Sequence, residues 1–133
     1  NVYSNCHPMF GTVSEWYFRW LAGIQPDPEY PGFVRFNLFP NIPEGLDLVK
    51  CSYNYPHGII VSNWEKKSSD VQVYEINVPE GTIATAVIPV SGRQAIIVKN
   101  LSNSLNGPVK TEGAVNRFTL RPGKYLITAE PAK

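Results

Sequence analysis

Proline and glycine recur along the whole sequence, with a turn signal roughly every ten residues. The 12 prolines and 10 glycines are spread as punctuation and are not gathered into one linker. Proline ends a helix or a central strand, and glycine favours turns, so long regular elements have little room. This spacing predicts a turn-rich β domain and argues against a helical bundle.

Size and charge exclude several classes of protein. A chain of 133 residues with 43% hydrophobic and 17% charged residues fits one domain with a packed core. The formal net charge is +1, and no run of like charge exceeds the pair Lys66-Lys67, which argues against nucleic acid or an anionic membrane as a partner. The apolar runs are far shorter than the ~20 residues of a membrane helix.

The N-terminal 24 residues carry a helical pattern that the rest of the chain lacks. Thr12-Val13-Ser14-Glu15 matches a capping box, Glu15 and Arg19 form an i, i+4 pair, and Gly23 suits a helix C-terminus. The helix is aromatic around nearly its whole circumference, so one face should lie on the β domain and the other requires a partner. The apolar residues at helical spacing are Val13, Trp16, Tyr17, Trp20, Leu21 and Ile24.

A boundary follows this helix. Residues 25–32 contain three prolines and a glycine, which predicts a stiff extended connector between a helical unit at 1–24 and a β domain at 25–133. From Phe33 onward the apolar period is two. The alternation predicts about seven to nine strands in an antiparallel β-sandwich or jelly roll, a mainly β fold with one N-terminal amphipathic helix.

Two pairs of strands are predicted to form hairpins. Leu46–Tyr55 and Ile59–Lys66 flank the turn Tyr-Pro-His-Gly. Val115–Leu120 and Lys124–Ala129 flank Pro122-Gly123, and we expect them to form a closing hairpin.

No arrangement of side chains is typical of a catalytic centre. Asp27 and Glu29 lie two apart in a solvated proline-rich segment, whereas acid–base catalysis needs a carboxyl pKa raised by burial. A Gly-x-Ser-x-Gly motif and a phosphate-binding loop are absent. His57 is interpreted as a turn residue, and His7, taken alone, as an ordinary residue ahead of the helix. The residues by themselves predict no catalytic group and no cofactor.

The cysteines and one polar triplet carry little functional information. Cys6 and Cys51 either pair in an oxidising compartment or, as is commoner, are two buried thiols. Neither has the neighbours of a zinc site, so we expect no metal. Asn100-Leu101-Ser102 matches a glycosylation acceptor, a triplet that is common by chance.

Exposed aromatic rings are the remaining feature that points to a ligand. β-Sandwiches that bind sugars present Trp or Tyr rings, and the candidates here are Trp64, Tyr53, Tyr55 and Tyr30. Trp64 shares a face with Ile60 and Ser62, which favours a place in the core. A free-standing carbohydrate-binding module is therefore the alternative to a structural role.

The motifs of residues 4–33 identify a family. The run SNCHPMFGTVSEWYFRWLAGI at 4–24, followed by PDPEYPGF at 26–33, resembles the end of the catalytic domain in bacterial α-L-rhamnosidases of glycoside hydrolase family 78. That family typically has Asn-His near an FGxVxEWxYRxLAGI helix, then PDPxxPGF. The resemblance extends over almost the whole chain through VKCSY at 49–53, YPHG at 55–58, SNW at 62–64 and VPEGTIATA at 78–86.

The resemblance implies a division of labour. In such enzymes an (α/α)6 barrel carries catalysis, and a C-terminal antiparallel β-sandwich packs against it. Residues 1–24 resemble the last barrel helix with its loop, and residues 25–133 the sandwich with its lead-in. The chain, which does not open on Met, is then expected to be a non-catalytic C-terminal fragment that supports the barrel. Family chemistry is inverting hydrolysis by two carboxylates, which by resemblance lie upstream of Asn1.

The resemblance also implies one site residue and a set of partners. His7 matches a barrel-end histidine that hydrogen-bonds a sugar hydroxyl, although Cys6 here separates it from Asn5, where the family has Asn directly before His. The implied partners are rhamnose-containing glycans, through the parent enzyme, and the barrel itself, with no nucleic acid and no membrane. A periplasmic or secreted location is favoured for the parent. A self-contained small enzyme is a third reading, and the absent carboxylate pair argues against it.

Overall fold

Short strands joined by tight turns make up most of the chain in the computed structural model, which describes residues 11–90, 94–102, 109–112 and 116–132. A helical segment comes first, with an α-helix over Gly11–Trp16 (α1) that continues as a π-helical turn over Tyr17–Leu21. The strands that follow are β1 (Ile24–Pro26), β2 (Arg35–Leu38), β3 (Leu48–Val49), β4 (Ser52–Tyr55), β5 (Gly58–Lys66), β6 (Gln72–Val78), β7 (Ile83–Val87), β8 (Gln94–Asn100), β9 (Val109–Glu112), β10 (Arg117–Leu120) and β11 (Gly123–Pro131).

Within the described residues the strands form two sheets, which confirms the predicted sandwich. The smaller sheet has the order β1-β2-β7-β10, and the larger has β5-β6-β11-β8-β9 with β3 and β4 both paired to the outer side of β5. One pair departs from the antiparallel prediction, because β2 and β7 run parallel, with Arg35 opposite Ile83. The C-terminal strand β11 lies in the interior of the larger sheet, between β6 and β8.

The core lies between the two sheets and is built by period-two alternation. Alternate side chains of β5, β6 and β11 are buried, as expected for strands with one face on a core. The small residues Ala84 and Ala86 of β7 are buried in this core. Fully buried core residues include Phe36, Leu38, Ile60, Trp64, Tyr74, Ile76, Val78, Ala84, Ala86, Ile88, Ile96, Ile127 and Ala129.

The first predicted hairpin is confirmed. Tyr55 pairs with Gly58 across the two-residue turn Pro56-His57, and the same register continues to Leu48 opposite Glu65. The predicted strand at 46–55 is present as β3 and β4, interrupted where the Asn63 side chain accepts a hydrogen bond from the Cys51 main-chain N–H (3.0 Å).

The predicted closing hairpin is wrong. β10 pairs with β7 in the smaller sheet, whereas β11 pairs with β6 and β8 in the larger. Pro122-Gly123 is therefore a corner at which the chain crosses between layers. Hairpins and corners use the same turn residues, so the local sequence does not distinguish them.

The predicted extended connector is also wrong. Gln25 and Pro26 belong to β1, which folds back on β2 with Ile24 opposite Leu38. Pro26 is tolerated because β1 is an edge strand, where one missing N–H costs no ladder bond. A turn at Asp27–Tyr30 follows, in which the Asp27 carboxylate accepts the main-chain N–H of Glu29 (3.0 Å).

Gly23 ends the helical segment, as its position predicted. Its φ is +73°, in the left-handed region that glycine adopts without penalty. A Cβ at this position would lie 2.1 Å from the main-chain carbon of Phe39 and 2.3 Å from the nitrogen of Pro40, which are backbone atoms that cannot rotate away.

We predict that Gly23→Ala destabilises the chain by more than about 4 kcal/mol, because it adds a backbone clash to the positive-φ penalty. Gly32→Ala is the matched control. Gly32 has a similar φ of +83° with open space around it, so only about 1–2 kcal/mol should be lost. Urea denaturation followed by near-UV circular dichroism measures both, and equal losses would contradict the role of the close contact.

Candidate functional site

A row of large apolar side chains on the helical segment faces solvent. Val13, Trp16, Tyr17 and Trp20 are each about half exposed, at 57%, 48%, 53% and 56%. Trp16 and Tyr17 contact each other edge to face, with ring centroids 5.5 Å apart. We call these four residues the aromatic face. Exposed aromatic clusters of this kind mark surfaces that bind another molecule or domain.

The other side of the helical segment packs on the sandwich. Leu21 and Ala22 are buried, and Phe18 packs against the core cluster and meets Tyr53 edge to face at 6.0 Å. The apolar residues predicted at helical spacing therefore do not share one face. Leu21 faces the core, whereas Val13, Trp16, Tyr17 and Trp20 form the aromatic face. Ile24 leaves the helix altogether and is buried in β1.

The sandwich supplies hydrogen-bond donors to five consecutive carbonyls at the end of this helix. The last carbonyls of any helix lack partners within it, and leaving them buried and unpaired is costly. From the carbonyl of Arg19 to that of Gly23, the donors are the Gln25 amide side chain (3.2 Å), the Asn41 main chain and side chain (3.1 and 2.9 Å), the Trp64 indole (2.8 Å), the Ser62 hydroxyl (2.6 Å) and the Phe39 main chain (2.9 Å). We call these donors the helix anchor.

Trp64 and Ser62 are the buried part of the helix anchor. They stand two residues apart on the inward face of β5, with exposed fractions of 1% and 3%. The sequence signal for this contact is Ser62 itself, because a serine on an otherwise apolar inward face requires a hydrogen-bond partner. Their partners, the carbonyls of Leu21 and Ala22, lie about forty residues earlier, beyond the reach of local pattern.

Two grooves flank the helical segment. The first, of about 530 Å³, lies between Tyr17 and Leu21 on the helix and Leu46, Leu48 and Val49 on the sandwich. It continues the aromatic face. The second, of about 270 Å³, is lined by Tyr53 and by Glu15 and Arg19, which form an ion pair of 3.2 Å; Phe18 lines both grooves. The predicted i, i+4 pair is thus confirmed.

The sequence-predicted polar residues do not form a catalytic centre. His7 lies outside the described residues. His57 is exposed in the β4–β5 turn, with its ring 5.2 Å from that of Tyr55, as its interpretation as a turn residue predicted. Asp27 uses its carboxylate in a local turn, and Glu29 is exposed, so neither has the buried environment of an acid or base.

The four candidate sugar-binding rings have different environments. Trp64 is buried, as the pattern favoured, and Tyr55 is 9% exposed. Tyr30 is exposed, but the Arg35 guanidinium lies over its ring at 4.1 Å from the centroid. Tyr53 is half-buried and lines the second groove. Trp64 and Tyr55 are therefore too buried to stack against a sugar, which weakens the carbohydrate-binding alternative.

The described residues also show little metal or thiol chemistry. Among them no group of three or more His, Cys, Asp or Glu side chains could hold a metal ion. Cys51 is a half-buried free thiol, and burial raises its pKa, which makes it a poor nucleophile. Cys6 lies outside the described residues. In the part of the chain that the structure covers, no helix has the length and apolarity needed to cross a bilayer.

This arrangement holds a helix on the sandwich and leaves one side of that helix exposed. The helix anchor fixes one side, and the aromatic face is directed outward. Residues 23–102, more than half of the chain, match the family described as the bacterial alpha-L-rhamnosidase C-terminal domain. The chain belongs to that family.

Similar whole proteins are much longer. The chain is 27% identical over 128 residues to an alpha-L-rhamnosidase of Formosa agariphila, covering 93% of this chain and 13% of that protein. It is 28% identical over 104 residues to an alpha-L-rhamnosidase of an Alteromonas species, covering 78% of this chain and 10% of that protein. The chain thus spans only a small part of the curated relatives that it matches.

Solved structures share the fold. The alpha-L-rhamnosidase from Dictyoglumus thermophilum superposes with a TM-score of 0.75 at 22% identity, over 93% of this chain and 14% of that one. The Streptomyces avermitilis alpha-L-rhamnosidase, solved in complex with L-rhamnose, gives a TM-score of 0.68 at 23% identity, over 92% of this chain and 11% of that one.

We predict that Trp64→Phe lowers the free energy of unfolding by about 2 kcal/mol or more, because it leaves the Leu21 carbonyl without its donor and empties part of the core. Trp20→Phe, at a position 56% exposed, is the matched control and should change stability by less than about 0.5 kcal/mol. Equal effects in chemical denaturation would show that the helix anchor contributes little.

Proposed function

We propose that this chain is the C-terminal, non-catalytic part of an α-L-rhamnosidase, in which it supports the catalytic region. The observation that carries the proposal is the aromatic face, held outward by the helix anchor on a domain of the rhamnosidase C-terminal family. Exposed tryptophan and tyrosine on a fixed helix suit docking to a large neighbouring domain, because ordering costs were met when the helix was anchored.

The partner in this proposal is a helical barrel of the same polypeptide. Residues 1–24 would be the last helix of that barrel with its preceding loop, and residues 25–133 the supporting sandwich. This chain spans only a small share of each rhamnosidase relative, which supports a longer parent protein. Rhamnose-containing glycans would be the substrates of that parent. Its two carboxylates would act by inversion from sequence upstream of Asn1.

The experiment compares the longer protein with this chain, using an aryl α-L-rhamnoside as substrate. We predict turnover by the longer protein and none by the 133-residue chain. In the longer protein, Trp16→Ala and Trp20→Ala should each weaken docking by about 2 kcal/mol, because large aromatics dominate interface energy. The loss is read as a lower temperature of thermal inactivation.

Tyr30→Ala is the control for these variants, since Tyr30 is an aromatic residue exposed at 41% on a turn of the sandwich and is not part of the aromatic face. Its inactivation temperature should match that of the parent. Turnover by the 133-residue chain alone would refute the non-catalytic role, and tryptophan variants as heat-stable as Tyr30→Ala would refute docking through the aromatic face.

His7 is the residue of this chain that we propose to contact substrate in the longer protein. It precedes the anchored helix by a few residues in sequence, and by family resemblance it matches a barrel-end histidine that hydrogen-bonds a sugar hydroxyl. We predict that His7→Ala weakens binding of the aryl rhamnoside about 10-fold or more, the loss of one or two hydrogen bonds to a sugar hydroxyl. The matched control is His57→Ala, and a KM that is unchanged in both variants would exclude His7 from the pocket.

A further inference from the structure

The second groove combines aromatic and charged side chains in a way that the docking role does not use. It lies on the Glu15–Arg19 side of the helix, whereas the aromatic face continues into the first groove through Tyr17 and Leu21. Tyr17 and Arg19 lie two residues apart, which on a helix separates their side chains by roughly half a turn. A partner that covers the aromatic face therefore need not cover this groove.

Three aromatic rings form the wall of the groove. Tyr53 is central, with its ring centroid 6.0 Å from that of Phe18 and 5.2 Å from that of Phe33. All three rings are half-buried, so each keeps some surface open to a ligand. Ile24 and Pro26 complete the apolar lining. An apolar ring surface of this kind packs well against the C–H face of a sugar.

The rim of the groove is charged and accessible. The side chains of Arg19 and Glu15 are 51% and 57% exposed, and their ion pair is a single contact of 3.2 Å. An exposed ion pair contributes at most about 1 kcal/mol, so a ligand can exchange it for its own hydrogen bonds at small cost. A guanidinium supplies donors and a carboxylate supplies acceptors, which together match the hydroxyl groups of a sugar.

The size of the groove limits the ligand. About 270 Å³ lies just below the range of roughly 300–1,000 Å³ that holds drug-sized molecules, which suits one ring of a glycan and not an extended chain. Both signs of charge are present at the rim, so a neutral ligand suits it better than an anion or a cation.

We propose that this groove binds one neutral pyranose ring, stacked on Tyr53 and hydrogen-bonded by Glu15 and Arg19. The proposal does not depend on the docking role, because the groove is lined by Glu15, Arg19 and Tyr53 and not by the residues of the aromatic face. Tyr53 is the member of the four sequence-predicted rings that keeps this possibility open, because Trp64 and Tyr55 are buried and the ring of Tyr30 is covered by Arg35.

The test titrates the isotope-labelled 133-residue chain with the methyl glycosides of L-rhamnose, D-galactose and D-glucose, followed by amide chemical shifts. We expect saturable shifts confined to Glu15, Phe18, Arg19 and Tyr53, with a dissociation constant of about 1–10 mM for at least one glycoside. Absence of saturable shifts at these residues, at about fivefold the upper limit, overturns the proposal.

Two variants assign the binding to the groove. Tyr53→Ala removes the stacking ring and should weaken binding about 5- to 10-fold. Arg19→Ala, at an exposed position that leaves the fold intact, should weaken it by a similar factor. Arg117→Ala, an exposed arginine in β10, is the matched control and should bind as the parent chain does. Cyclohexanol that binds as tightly as the sugars, with no effect of Arg19→Ala, would show an unselective apolar groove and refute the proposal.

Discussion

The pairing of the helix C-terminus with donors from the sandwich is the interaction on which the rest of the structure depends. Five carbonyls from Arg19 to Gly23 find partners in β1, in β5 and in the loop after β2. Without these hydrogen bonds the short helical segment would not be stable by itself, since isolated helices of fewer than about 12 residues are marginal in water. The α-to-π change at Tyr17 belongs to the same arrangement, because the Ala22 N–H returns to the Tyr17 carbonyl (3.0 Å) and leaves the following carbonyls to the sandwich.

This arrangement separates two roles on one short helix. The side that meets the sandwich is satisfied by burial and hydrogen bonds, and the outward side carries the aromatic face. A helix that is already fixed on one domain can present tryptophans to another domain without a further loss of conformational entropy. The same rigidity holds Glu15 and Arg19 over the second groove. Both proposed roles, docking and sugar binding, thus depend on the helix anchor.

Local pattern predicted the elements well and their partners less well. The helix, the Tyr55–Gly58 hairpin and the inward faces of β5 and β6 follow from periodicity and turn residues. The turn between β10 and β11 has a sequence that suits a hairpin as well as a corner, so local pattern predicts the wrong partner strand. The parallel pairing of β2 with β7 and the bond from Trp64 to Leu21 join residues more than forty positions apart, and no window of local sequence contains them. His7 rests on family resemblance, since it lies outside the described residues.

The central position of β11 has a consequence for how the chain is made. Strands β6 and β8 cannot be joined in the larger sheet until β11 has been synthesised and has inserted between them. Until then both strands present open edges, which are templates for wrong pairing. A truncation within β11 would therefore remove an interior strand of the larger sheet and leave two open edges in its place.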